Sequence, residues 1–426
     1  MSLLSNRTPV PGIRYQYPVS GDSNTLAIVG DSFSARWRSA SAGVVDYRPQ
    51  GYVMWALSYS GQRMTVISDQ SVSGAWVSQG GSVTPMVQQI DAAVASGARN
   101  LLLMGGINDL SNGVSVATIQ AAFASIKARA AGMRVWWCLQ PGFNSAGAGY
   151  SVARQGQMFQ LNDWIRSLCA SQAQTAGGIV CIDTASKAVD PASATGNYIT
   201  NGVQSDNLHP TNIVQMAMGK EIARVWSLYV PETPLLLTSG VDNAAYSTNS
   251  TNILTNGLFT AGSPTGTGWT QSVTGTGSNT PSIQARSDGY GNDQQQICVF
   301  AANNDSVVLT SGDLKANVAL NDILTASCEL NLSAMTATRT IRVQLAMIGT
   351  LGSKVMSWGQ LDSTADKAMT DATGTWTVKL EPVQYTSDLG TLTSVTIAVR
   401  AFGSGVGGVT LKIGRVAVRK LVPYTV

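Results

Sequence analysis

Ser32, Asp206 and His209 are the residue types that acyl transfer through a covalent intermediate requires: a hydroxyl to attack, an imidazole to take its proton, and a carboxylate to orient the imidazole. His209 is the only histidine among 426 residues, so a serine nucleophile anywhere in this chain has one imidazole available as its base. Asp206 precedes it by three residues in SDNLHPTN, near enough to hold the ring in one tautomer and to stabilise its cation. Ser32 lies in TLAIVGDSFSARW, where an apolar strand runs into Gly30-Asp31-Ser32 and on into a helix start. That geometry lifts the hydroxyl out at a strand end and puts the Ser32 N–H at a helix N-terminus, where unpaired donors can receive an oxyanion. A second GDS, at Gly21-Asp22-Ser23, follows a polar segment and precedes no helix; it reads as a turn. In LLLMGGINDL another apolar strand delivers Asn108 after two glycines, and an amide there can donate to a developing oxyanion. Each residue also has a plainer role: Ser32 as a helix cap, Asn108 as an Asx turn, and a lone histidine as a satisfied core or surface group.

The elements that must position these groups follow from the hydrophobic pattern. From Thr25 to about Val230, short apolar runs (Leu26 to Val29, Met64 to Ile67, Leu101 to Met104, Val135 to Leu139, Ile179 to Ile182) alternate with segments of helical spacing at Val83 to Ser96, Val116 to Ala131, Gln155 to Ala173 and Ile213 to Tyr229. Continuous apolar strands separated by amphipathic helices predict an α/β fold with a five-stranded parallel sheet covered on both faces. Such a sheet holds its ligand beyond the carboxyl ends of its strands, which places the chemistry just after Val29, Ile67 and Met104. After Pro231 the chain turns Pro-, Ser- and Asn-rich. From Ile253 it alternates apolar residues with Thr, Ser and Gly, as in Thr338 to Met347, Trp376 to Leu380 and Val395 to Ala401, which predicts an antiparallel β-sandwich. The expected organisation is an N-terminal arm over 1–24, an α/β domain over 25–232, a linker over 233–252 and a β-sandwich over 253–426.

Composition sets the limits. Hydrophobic residues make up 44% and charged residues 12%, with a net charge of +3, which fits two folded domains and gives a polyanionic partner such as nucleic acid no basic patch. One histidine and five cysteines without C-x-x-C spacing leave no ligand set for a transition metal, and no cofactor is expected. Cys138 and Cys181 sit in strand-like runs and read as buried free thiols; a Cys298–Cys328 bridge is the one disulfide considered. The N-terminus shows neither a signal-peptide pattern nor a run of about 18 apolar residues, so membrane insertion is not expected.

GDS near the N-terminus, G-x-N-D in the middle and D-x-x-H-P near the end of the α/β region resemble blocks I, III and V of the SGNH/GDSL hydrolases, over roughly Thr25 to Tyr229. The resemblance implies a flavodoxin-like three-layer domain. Within it Ser32 is the nucleophile, His209 the general base and acid, and Asp206 its orienter, with oxyanion donors from the Ser32 N–H, Asn108 and a block-II glycine. Gly74 in VISDQSVSGAW is the candidate for that glycine, with Gly61 and Gly80 nearby. Block I reads GDSF here, at a position that packs rather than reacts. Asp31 and Asp109 are taken as turn-shaping.

NILTNGLFTAGSPTGTGWT resembles, more loosely, the opening strand of carbohydrate-binding jelly-roll modules, and VTLKIGRVAVRKL fits the closing strand. Trp269 is expected to plug that core rather than stack on a sugar. Together the two resemblances imply a carbohydrate O-acetylesterase, its partner an acetylated polysaccharide. The Ser/Thr/Asn/Gly-rich second half and the proline-containing arm look like a phage tail protein, extracellular or virion-associated and acting on host glycan, a setting in which homotrimers are common. Two alternatives stay open: a lipase- or thioesterase-like hydrolase for longer acyl chains, and a non-catalytic structural or receptor-binding tail protein.

Overall fold

The computed structural model describes residues 24–41, 43–147, 149–171, 178–230, 252–359 and 373–421; the expected arm up to residue 23 and the linker from 233 to 251 lie outside the described residues. The first half runs β1 (Thr25–Gly30), α1 (Ser32–Ala35), a hairpin of β2 (Arg38–Ser41) and β3 (Val44–Tyr47), α2 (Tyr52–Tyr59), β4 (Thr65–Asp69) and α3 (Met86–Ala95). It continues with β5 (Asn100–Met104), α4 (Ile107–Ser111), α5 (Val116–Arg129), β6 (Arg134–Cys138), α6 (Val152–Ser171), β7 (Ile179–Ile182), α7 (Ala185–Ala188) and α8 (Asn212–Trp226). The expected strands and helices are present, their ends within three residues of the periodicity.

Strands β4, β1, β5, β6 and β7 form, in that order, one parallel sheet. All of β1 and β5 is buried, because helices cover both faces and leave no polar side for the strands to show. This is the flavodoxin-like order, with its switch point between β1 and β5, where the crossovers leave toward opposite faces and open a crevice. Ser32 follows one of these strands and Asn108 the other. Gly30 leaves room for the tight turn into α1: a Cβ there would lie 2.3 Å from Ser34 Oγ.

The second half carries β8 (Trp269–Thr274), β9 (Ser278–Ala285), β10 (Asn292–Phe300), β11 (Asn303–Ser311), β12 (Ile323–Gly349), β13 (Ser353–Trp358), β14 (Gly374–Lys379), β15 (Val383–Gln384) and β16 (Leu392–Leu421). Its described residues form no α-helix. The long strands β12 and β16 pair along their length, with register shifts between Ser333 and Thr340. Their outer portions join β14, β15, β10 and β9, while their inner portions join β13, β11 and β8. Two strands thus pass from one layer of a β-sandwich to the other at their irregular middles. Leu324, Leu330, Ile341, Val343 and Leu345 alternate into the interior. Trp269 is buried against Phe259, at 5.2 Å between rings, and so plugs the core.

The fold answers the open question of the Cys298–Cys328 bridge and corrects one reading of burial. Cys298 and Cys328 are both free; β16 lies between their strands, with Cys298 opposite Val409 and the neighbours of Cys328 opposite Gly414 and Ala417, so they stand two strand spacings apart across the sheet and roughly 20 Å apart along it, beyond disulfide reach. Of the two thiols expected to be buried, Cys138 is and Cys181 is only partly so.

Several contacts join the two halves. The β2–β3 hairpin leaves the α/β layer, and β3 adds in parallel to β13, with Val44 opposite Val355 and Tyr47 opposite Trp358. Trp55 of α2 packs edge-on against Trp358 and Trp376 at 6.0 and 5.2 Å. Trp358 Nε1 donates to Ser58 Oγ at 2.9 Å, and Arg38 pairs with Glu381 at 2.7 Å. One contiguous apolar core consequently spans both halves.

Candidate active site

The turn after β1 is shaped by Asp31, whose Oδ1 accepts from Phe33 N–H at 2.9 Å and caps α1. Burial, reinforced by the nearby Asp109 and only partly offset by the Phe33 N–H, pushes the Asp31 carboxyl up from 3.8 to about 7. Ser32 is 7% exposed, with its side chain toward the loop before α8.

That loop carries His209. Gln204 N–H donates to His209 O at 2.8 Å, and Gln204 Nε2 to Pro210 O at 2.8 Å. Arg36, just beyond α1, donates to Gln204 Oε1 at 3.0 Å and so ties the loop to the serine turn. Asp206 Oδ1 accepts from the N–H groups of Leu208 and His209, both at 3.0 Å. Its Oδ2 lies 2.6 Å from His209 Nδ1. On the far side of the ring, His209 Nε2 stands 2.7 Å from Ser32 Oγ. With Nδ1–H donating to Asp206, Nε2 is left with a lone pair facing the serine hydroxyl. Partial burial favours the neutral ring and holds the His209 pKa below its ordinary value, against the opposing pull of Asp206; the Arg36 charge acts in the same direction as burial. Burial raises the Asp206 carboxyl, but hydrogen bonds from His209 and the Leu208 N–H outweigh it and leave the group below its ordinary range.

The other wall comes from β5 and the segment after β4. Asn108, in the first turn of α4, donates through Nδ2 to Ala75 O at 3.0 Å, and its second amide hydrogen has no acceptor among the described residues. Val72 N–H donates to Gly30 O at 3.1 Å and Ala75 N–H to Val72 O at 3.0 Å. This turn holds Gly74 beside the end of β1 at φ +83°, a conformation that favours glycine. The N–H groups of Ser32 and Gly74 donate no hydrogen bond among the described residues. Of the competing glycines, Gly61 faces Thr377 of the sandwich and Gly80 lies against the Trp76 ring.

Asp109 does more than shape its own turn. Fully buried, it accepts from Val77 N–H at 2.7 Å, Ser78 N–H at 3.0 Å and Ser78 Oγ at 2.6 Å, which pins the Gly74 segment to the end of β5. Sequence spacing held no signal for this contact across more than thirty residues. Among the described residues no three His, Cys, Asp or Glu side chains are grouped to hold a metal ion. Chemically, the arrangement offers a hydroxyl facing the imidazole of His209, and the N–H groups of Ser32 and Gly74 and one amide hydrogen of Asn108 are not engaged among the described residues.

Residues 28–214 match the model of the GDSL-like lipase/acylhydrolase family. No curated protein matches the chain in sequence. Among solved structures, a member of the lipolytic G-D-S-L family from Veillonella parvula is 17% identical, covering 48% of this chain and 98% of its own, with a TM-score of 0.35. A carbohydrate esterase family 3 enzyme from Talaromyces cellulolyticus is 12% identical over 48% of this chain and 96% of its own, with a TM-score of 0.34. A structure of carbohydrate-binding modules from the β-sandwich superfamily is 12% identical over 35% and 56%, with a TM-score of 0.27. Over residues 28–214, less than half of its length, the chain is thus similar to the GDSL-like lipase/acylhydrolase family.

Proposed function

We propose that this protein is a serine esterase that removes O-acetyl groups from a polysaccharide. The observation that carries the reading is the unbroken hydrogen-bonded line Asp206–His209–Ser32, with 2.6 and 2.7 Å steps, between elements 177 residues apart. His209 Nε2 takes the Ser32 proton as Oγ attacks the acyl carbonyl, and Asp206 stabilises the imidazolium. The oxyanion is received by the Ser32 and Gly74 N–H groups and by Asn108 Nδ2. As the C–O ester bond breaks, the same imidazolium protonates the departing sugar oxygen to release the free hydroxyl, and a water deprotonated by His209 then hydrolyses the acetyl-Ser32 ester, freeing acetate and Ser32. The β-sandwich bound to the hydrolytic half supports a polymeric substrate, and the setting that fits best is a virion-borne or extracellular protein acting on host surface glycan.

The test compares hydrolysis of p-nitrophenyl acetate and octanoate, and acetate release from a panel of O-acetylated polysaccharides, by wild type and Ser32→Ala. Preference for acetate and Ser32-dependent acetate release are expected. A preference for octanoate would replace this reading with a long-chain acylhydrolase. Equal background hydrolysis by both proteins would leave a non-catalytic tail protein.

A further inference from the structure

A cavity of about 210 Å³ lies between the two halves, walled by β4, by the β2–β3 hairpin and by the chain leaving β14. β4 is the immediate neighbour of β1, with Asp69 opposite Ile28, so the cavity stands on the order of 10–15 Å from Ser32 at ordinary strand spacings. Its charged lining is Arg38, Asp69, Lys379 and Glu381. Three of these are matched within the protein. Arg38 and Glu381 form a two-pronged ion pair at 2.7 and 3.0 Å, and Asp69 accepts from Trp37 Nε1 at 2.8 Å and from Ser71.

Lys379 is the exception. On β14 its neighbour Val378 points into the core, which turns the lysine the other way, toward the cavity. Its ammonium has no hydrogen-bond or ion-pair partner among the described residues. Burial lowers its pKa. An unpaired, partly desolvated ammonium weakens the fold, and it persists most readily where a ligand supplies the missing charge.

We infer that this cavity is a secondary subsite that takes a carboxylate-bearing sugar residue of the substrate chain, its carboxylate paired with Lys379. The inference rests on the esterase reading for the identity of the chain. The lining narrows the ligand: Asp69 and Glu381 repel a doubly charged phosphate but accept hydrogen bonds from hydroxyls, so a singly charged, hydroxyl-rich uronic acid suits the cavity.

The experiment has a binding arm and a kinetic arm. Calorimetric titration of a galacturonate oligomer against wild type should show at least about tenfold tighter binding than a neutral xylose oligomer, and Lys379→Met should abolish the difference. With O-acetylated polygalacturonate, Lys379→Met should raise KM about tenfold with kcat unchanged, while acetylated xylan and p-nitrophenyl acetate keep their wild-type constants. Because the substitution removes an unpaired buried charge, its melting temperature should equal or exceed that of wild type; Lys379→Gln serves in every arm if the methionine variant fails to fold. Equal binding of acidic and neutral oligomers, an equal change on both polysaccharides, or free acetate competing as well as the oligomer would each overturn the inference. Loss of p-nitrophenyl acetate hydrolysis in wild type would instead strike the esterase reading, and the binding arm would still decide the subsite.

Discussion

Replacing Asp109 by Asn tests how the oxyanion side of the site is held. The carboxylate accepts three hydrogen bonds from Val77 and Ser78 through its two oxygens. An amide keeps one oxygen, so either the Val77 N–H or the Ser78 pair must face an NH2 group. A buried donor left without its acceptor costs about 1–3 kcal/mol, and more where the acceptor was charged, so about 2–3 kcal/mol is lost from the docking of one segment. That shifts its docked-to-undocked ratio by a factor of about 30 to 150. Gly74 rides on this segment, and loss of one oxyanion donor costs about 10²- to 10³-fold in kcat. With docking weakened but not abolished, kcat for p-nitrophenyl acetate should fall about 10- to 100-fold while KM moves by less than about threefold. Steady-state kinetics beside a thermal melt, which separates local from global damage, reads this directly. A folded Asp109→Asn protein with kcat within about twofold of wild type would refute the positioning argument.

Two further outcomes follow from the same geometry. Because burial and Arg36 hold His209 below its ordinary value and only the neutral ring accepts the serine proton, kcat/KM should rise with pH through a midpoint below about 6.5 and be level by neutrality; a profile flat from pH 4.5 to 8, or a midpoint well above neutrality, would contradict this. Trp55→Ala empties the aromatic contact between the halves and should destabilise the protein by about 3–5 kcal/mol, the wild type melting in a single transition; two separate wild-type transitions, or a negligible shift, would show that the halves fold independently.

Much of this architecture was legible in the residues because the sheet of the first half is buried on both faces. Its strands are unbroken apolar runs and its crossover helices carry the helical period. Chain order then limited where a ligand crevice could form, and the spacing of Asp206 and His209 made a contact between them cheap. The pairing of Ser32 with His209 depended on long-range folding and on only one imidazole being present. The β2–β3 hairpin escaped notice because strands of four residues, RSAS and VVDY, carry too little alternation to be told from a loop. Helix α2 escaped for the opposite reason: seven of its eight residues are buried, so it has no polar face to reveal a period. Both elements carry the contact between the halves, so the shared sheet and shared core were not legible in composition. Asp109, read as a local turn residue, acts on a loop that only the tertiary fold brings near.

The most direct measurement is covalent labelling by a p-nitrophenyl phosphonate, followed by peptide mass spectrometry. One label per chain is expected, on Ser32, absent in Ser32→Ala and formed at least about 100-fold more slowly in His209→Ala. Labelling at another residue, or an unchanged rate in His209→Ala, would contradict it.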